Sequence, residues 1–198
     1  MDVAQTIALA VLVFASTNVD DFFLLLALFA DGRSQKWQVV LGQYLGVGVL
    51  VILSTGIAWG IILLPQRWIG LLGILPLSLG FKDLWRLRKP VDPEKRQHLV
   101  DTAFMSRRST SAIAGITISS GADNIAAYAP LFATLRNFDL GLMVVAFLCL
   151  VGVWCLGTHW LAKMGHAAIR RERAFTFVTP VVLILLGFWI LSTLLAAQ

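Results

Sequence analysis

Six apolar stretches, each about as long as a helix needs to cross a bilayer, take up most of this chain. They run over 3–31, 37–64, 67–86, 110–135, 139–163 and 175–197. A membrane-spanning helix needs about 20 mostly apolar residues. Inside lipid the backbone must satisfy its own hydrogen bonds, so only helices and closed barrels remain. The alternating pattern of a barrel strand is absent. With 58% hydrophobic and 14% charged residues, little is left to coat a soluble domain. The expected fold is therefore an all-α membrane protein with six transmembrane helices. Its parts are a first group of three helices over 1–86, a cytoplasmic linker over 87–109 carrying "RKPVDPEKRQ", and a second group over 110–198. Met1–Ala30 has no basic n-region and no short h-region with a cleavage site, so it reads as a retained span.

The charges orient the stretches. With the N-terminus outside, 14 of the 16 Lys and Arg residues fall in inner segments, leaving only Arg67 and Arg136 outside. Cytoplasmic loops collect positive charge. Both termini are thus expected outside, in a multi-pass protein of the cytoplasmic (inner) membrane. The same asymmetry accounts for the pI near 9.7, and no basic patch interleaved with aromatics asks for nucleic acid. Trp37, Trp68, Trp85 and Trp160 fall near span ends, where indole rings anchor at the interface.

Within the first stretch stands "STNVDDFFLLLALFA", residues 16–30, with Asp20 and Asp21 side by side. An Asp at the bilayer centre costs about 2.5–3.5 kcal/mol on an insertion scale, so two of them demand a reason. A copy of the pattern lies 103 residues on, in "SSGADNIAAYAPLFA", residues 119–133. Ser16 matches Ser119, Asp20 matches Asp123, Leu28-Phe29-Ala30 matches Leu131-Phe132-Ala133, and Asp21 faces Asn124. Gly80-Phe81 and Gly187-Phe188 pair the third and sixth stretches. The repeat is three spans long, and an odd number of spans turns the second copy upside down. Inverted repeats of this kind build secondary transporters whose sites lie near the membrane midplane. Asp20 sits 11 residues from Asp31, roughly 16 Å along a helix, and Asp123 sits 13 residues beyond Thr110, roughly 20 Å. Both arrive near the middle of a core about 30 Å thick, so the first and fourth spans are expected side by side and antiparallel.

The two clusters together offer the carboxylates of Asp20, Asp21 and Asp123 and the amide oxygens of Asn18 and Asn124. Ser16 and Ser119 stand one turn before Asp20 and Asp123, and Thr17 and Ser120 one turn before Asp21 and Asn124. Adjacent residues diverge by about 100° on a regular helix, so Asp20 and Asp21 share one target only if the helix opens. Gly121 and Pro130 give the fourth span means to distort. Three acids without a basic residue at their depth call for a cation. Oxygen ligands suit hard or borderline divalent ions, and protons can occupy the same carboxylates. The alternative is that these groups are interhelical glue. Because the mate of Asp21 is already an amide, Asp21 is expected to tolerate amidation better than Asp20.

Other polar residues carry less. Lys82 and Asp83 lie near the inner end of the third span, where snorkelling accounts for them and a gating or counter-ion role is open. His98, His159 and His166 have no ligand spacing and read as solvated surface. Cys149 and Cys155 lie six apart in the fifth span and read as packing residues.

The chain resembles the cadmium-resistance transporter family (Cad), a branch of the lysine-exporter superfamily. The resemblance rests on "GADN" (121–124) followed by "PLFA" (130–133), on "GQYLG" (42–46), on "LLGILPLSLGFK" (71–82), and on "NVDD" in the place of the family's first acidic motif. It implies a six-span exporter of divalent cations, with Asp20, Asp21, Asp123 and Asn124 on the substrate. Where some members carry a cysteine before the glycine of "GADN", this chain has Ser120. A thiolate would favour soft cadmium, and without it manganese, zinc or calcium gain ground. The expected activity is thus export of a divalent cation (cadmium, or manganese, zinc or calcium) by proton exchange. The chain is read as no enzyme and as needing no resident cofactor. Its partners are the metal ion, protons and the lipid bilayer, and self-association into a homo-oligomer is compatible with the reading. Competing readings are export of a cationic amino acid such as lysine, a thiol-disulfide carrier using Cys149 and Cys155, and a membrane scaffold.

Overall fold

The computed structural model describes residues 2–31, 35–63, 71–86, 109–164 and 178–196. Among the described residues there are eight helices and no strands. They are α1 (Val3–Thr17), α2 (Val19–Asp31), α3 (Lys36–Ile62), α4 (Ile74–Arg86), α5 (Thr110–Ser120), α6 (Ala122–Thr134), α7 (Asn137–Lys163) and α8 (Val178–Ala196). The linker 87–108, Trp68, His98 and His166 lie outside the described residues.

Helices α3 and α7 are each long and apolar enough to cross a membrane, and α1 with α2 makes a third crossing if the bent pair is one span. Their outward faces are apolar: Ile52 is 71% exposed and Leu156 72%, with Trp59 and Val153 beside them. Patches of that kind do not face water on a soluble monomer. Trp37, Trp85 and Trp160 are also exposed. The remaining stretches expected to span appear as the 13-residue α4, the interrupted pair α5–α6, and the 19-residue α8.

Two interruptions organise the fold. Helix α1 gives way to α2 at Asn18 with a 64° bend, and α5 gives way to α6 at Gly121. The local cause is written in "STN" and "SSG". Ser16 Oγ and Thr17 Oγ1 both donate to the Val13 carbonyl, at 2.8 and 2.9 Å, and Asn18 Nδ2 donates to the Phe14 carbonyl at 2.9 Å. In the second stretch Ser119 Oγ donates to the Ile116 carbonyl at 2.9 Å and Ser120 Oγ to the Thr117 carbonyl at 3.2 Å. Side chains that bond back to the preceding turn compete with the helix ladder and end it. The boundaries on either side of the break keep the 103-residue offset throughout: Thr17 with Ser120, Val19 with Ala122, Asp31 with Thr134. The following long helices, α3 and α7, are both 27 residues.

The halves exchange contacts. Helix α3 packs on α5 and α6, and α7 packs on α1 and α2. Parallel α3 and α5 touch where glycine removes the side chain: a Cβ on Gly42 would lie 2.7 Å from Ile113 Cβ, and one on Gly46 would lie 2.6 Å from Thr117 Cβ. Helices α1 and α7 are also parallel, with Thr6 near Asp139 and the Phe14 ring 5.5 Å from Phe147. The core between them gathers Phe14, Tyr128, Phe132 and Phe147, all fully buried. Helices α4 and α8 run antiparallel in close contact, Gly73 against Gly187 and Gly80 against Pro180.

Candidate functional site

Asp21 is the centre of the polar interior. It sits in the first turn of α2, just past the break, and is 5% exposed. Its Oδ2 accepts a hydrogen bond from Gln43 Nε2 of α3 at 2.9 Å, and its Oδ1 accepts one from Ser120 Oγ at the end of α5 at 3.3 Å. Gln43 is itself held, since Thr117 Oγ1 donates to its Oε1 at 2.9 Å. One carboxylate thus ties together α2, α3 and α5. Hydrogen bonds to an ionised group are worth about 1.5–3 kcal/mol each, which offsets part of the burial cost.

Asp20 takes the other side. The break falls at Asn18, ahead of both acids, so Asp20 and Asp21 stand on a regular helical turn and diverge. Asp20 is exposed where Asp21 is buried. Asp123 occupies the first turn of α6, half-buried, its Oδ1 accepting the backbone N–H of Asn124 at 3.0 Å. Asp20 and Asp123 lie within electrostatic reach of Asp21, and Asp20 and Asp83 within reach of Asp123. The carboxylates feel one another, yet among the described residues no three His, Cys, Asp or Glu side chains gather into one cluster. The site in this arrangement is a mixed one of carboxylate, amide and hydroxyl oxygens.

The expected site residues therefore divide. Asp21 and Ser120 meet directly, and the antiparallel approach of the first and fourth stretches is seen in Asp21–Ser120 and Thr17–Tyr128. Ser16 and Ser119 turn their hydroxyls to helix carbonyls at the breaks. Asn18 is fully buried and donates from Nδ2 to Tyr128 Oη at 2.9 Å, while Trp154 Nε1 donates to the Asn18 carbonyl at 3.0 Å. Thr179 Oγ1 donates to the Ser16 carbonyl at 2.6 Å. The Thr179 bond gives a partner to a carbonyl that the break takes from the helix, while the Asn18 carbonyl also accepts the Phe22 backbone N–H at 3.0 Å. The amide oxygens of Asn18 and Asn124 are buried without a hydrogen-bond partner among the described residues.

Sequence reasoning missed two participants. Gln43 was visible as one of two glutamines in the largely apolar, 27-residue α3, and Tyr128 as a phenol inside an apolar run. Asp83, expected near the inner end of its span with a gating or counter-ion role left open, is half-buried and within electrostatic reach of Asp123. His159 also departs from expectation: it packs edge-on against Phe29 at 5.1 Å and is not a freely solvated surface group.

The cadmium resistance transporter family matches residues 14–195, from the first break through the last helix. The chain belongs to the cadmium resistance transporter family. It is a membrane protein of that family, and the matched region contains Asp20, Asp21, Gln43, Asp83 and Asp123. No curated protein and no solved structure matches the chain.

Gly121, the glycine of "GADN", has a packing role that can be tested. A Cβ there would overlap the Leu50 methyls of α3. Gly121→Val is expected to destabilise by roughly 1–3 kcal/mol, as overpacking does. Leu50→Ala in the same chain should restore most of the loss. Melting of the single and double variants in detergent checks this, and additive losses would place the cost elsewhere.

Proposed function

We propose that this chain exports divalent metal cations from the cytoplasm in exchange for protons. The observation that carries the reading is the buried Asp21 carboxylate, held at a helix break between the two halves, with Asp123 and Asp20 within electrostatic reach. Family membership supplies the cargo class. The donor atoms around Asp21 are oxygens and an amide, with Ser120 in the position of a thiol in some relatives, so oxygen-accepting ions such as Mn²⁺ and Ca²⁺ suit the site alongside Cd²⁺ and Zn²⁺. Asp20, Asp21, Asp123 and Asn124 are the residues assigned to the cation.

The chain works as six spans in two inverted repeats, 1–86 and 110–198, with both termini outside the cytoplasmic membrane. Matching breaks at Asn18 and Gly121 and the exchange of α3 and α7 between halves support this plan. So do the helix directions: α3 parallel to α5, α1 parallel to α7, and α4 antiparallel to α8. On the inward face, a cation displaces protons from the acids; on the outward face, protons displace the cation. The charge of the acids is then neutralised in turn by the cation and by protons.

Cys149 and Cys155 offer little to the thiol-disulfide reading. One is exposed and the other buried on the same continuous helix. Six residues span about 9 Å of helix axis, beyond the roughly 7 Å Cα separation that a disulfide bridges.

Inverted membrane vesicles test the proposal. With an imposed proton gradient, uptake of at least one of Cd²⁺, Mn²⁺, Zn²⁺ or Ca²⁺ is expected, and collapse of the gradient should abolish it. Uptake of lysine with none of the four ions would assign the site to a cationic amino acid.

A further inference from the structure

Resting on the metal-transport reading, we propose that Gln43 is a switching ligand. Its amide holds the Asp21 carboxylate when no cation is present, and turns over to give its oxygen to the cation when one arrives.

The argument starts from what a glutamine is doing inside α3. Gln43 is 1% exposed, inside a helix whose residues are mostly apolar. Both ends of its amide are engaged, Nε2 donating to Asp21 and Oε1 accepting from Thr117. The neighbouring glycines make that reach possible. Without side chains at Gly42 and Gly46, the α3 backbone lies against Thr110, Ile113 and Thr117 of α5. The motif "GQYLG" thus reads as two clearances flanking one polar arm.

The two ends of the amide respond differently to rotation. A half-turn about the terminal bond exchanges oxygen and nitrogen, and that torsion is broad and roughly two-fold. On the Thr117 side nothing is lost, because a hydroxyl can accept from Nε2 as readily as it donates to Oε1. On the Asp21 side everything changes. The amide oxygen would then face a carboxylate oxygen, an arrangement that repels unless a cation or a proton stands between them. The rotation is therefore coupled to occupancy by either. With neither on Asp21, the Nε2 hydrogens occupy the place of the positive charge.

The second half has no such arm. Counting along the two 27-residue helices, the position of Gln43 in α3 corresponds to Val144 in α7. Asn124, the mate of Asp21, is correspondingly left with a buried amide oxygen that has no hydrogen-bond partner among the described residues. The site is one-sided: locked through Gln43 at Asp21, and open at Asn124 for a ligand to complete.

Two substitutions with opposite expected signs test this. Purified wild type, Gln43→Leu and Gln43→Glu are melted in detergent across titrations of Cd²⁺ and Mn²⁺, and transport is followed in inverted vesicles. Gln43→Leu removes the oxygen, and its half-saturating metal concentration should rise roughly tenfold, the scale seen when a metal ligand loses its support. Gln43→Glu fixes an oxygen toward Asp21. Its half-saturating concentration should fall by about as much, with KM and turnover falling together because release becomes slow. A purely bracing residue would lower the metal-free melting temperature in both variants and leave both half-saturation points at the wild-type value, which overturns the proposal. Wild-type protein gives an independent measure, whatever the variants' yield. In protein labelled with ¹⁵N at glutamine, one buried side-chain amide resonance should shift during the Cd²⁺ titration, with the midpoint of the melting shift. Metal binding without any such shift rejects the switch alone. Wild type that responds to none of Cd²⁺, Mn²⁺, Zn²⁺ or Ca²⁺ rejects the transport reading, and the switch with it.

Discussion

Asp21→Asn is expected to lower metal transport by at least about a hundredfold, beyond the upper range found for losing a supporting group around a metal, while leaving the protein folded. Its surroundings can accept an amide. Asn at this position would keep one oxygen for Ser120 or Gln43, and its NH₂ could donate to the Ser120 hydroxyl or to a turned-over Gln43. The buried charge disappears and its desolvation cost with it, so the melting temperature in metal-free buffer should hold or rise. Stabilisation by added metal should vanish, since a ligand stabilises only the state it binds. Asp123→Asn should behave similarly, because the Asn124 N–H it accepts can still be accepted by an amide oxygen. Asp20→Asn should be the mildest, because Asp20 is exposed and the bonded Asp21 arrangement stays whole. That order reverses the expectation from the repeat alone, in which the Asn124 mate marked Asp21 as the replaceable acid. Metal titrations of melting, paired with vesicle transport, decide it. A large metal-free loss of stability in Asp21→Asn with metal stabilisation intact would make the carboxylate structural.

How much of this was legible depends on the range of each signal. Helix existence was legible, because long apolar runs leave the backbone no other option in lipid. The breaks at Asn18 and Gly121 were half legible: "STN" and "SSG" are local, and their back-bonding follows from residue type. The divergence of Asp20 from Asp21 hinged on where the helix opens, and it opens at Asn18, before both acids, so that they stay on one regular helix. Gln43 could not be placed from its own helix. Its partners are 22 and 74 residues away, and only the packing of α3 between α2 and α5 brings them together. The role of Asp83 stayed open for the same reason, since its place along its own helix says nothing about α6 beside it. Tyr128 gave no periodic signal, yet its hydroxyl, 2.8 Å from Thr17 Oγ1, joins the first break to α6.

Gly187→Leu is expected to cause the largest loss of stability from any single substitution at these helix contacts. At Gly121 the obstacle is a side chain, which can move. At Gly187 it is backbone: a Cβ would lie 2.7 Å from the Gly73 carbonyl oxygen and 2.8 Å from the Leu77 nitrogen. Close approach of helix backbones is the main source of association where lipid is as apolar as the side chains. Gly187→Ala alone should cost about 1–3 kcal/mol by overpacking, and Leu should separate α4 from α8 outright. Gly80 meets Pro180 and Ile184 under the same constraint, its Cβ position 2.8 Å from the Pro180 carbonyl oxygen, so Gly80→Leu should act alike. The contact Gly73–Gly187 and the contact Gly80–Pro180 exchange when the two halves are interchanged, so either substitution opens the same seam from opposite ends. The functional consequence runs through α4, which carries Asp83 toward Asp123. Gly187→Ala should therefore weaken the influence of Asp83 on the proposed cation site before the protein unfolds, and its transport defect should shrink when Asp83→Asn is already present. Melting temperatures and a double-mutant cycle on vesicle transport measure both parts. Full additivity of Gly187→Ala and Asp83→Asn would disconnect the seam from the site.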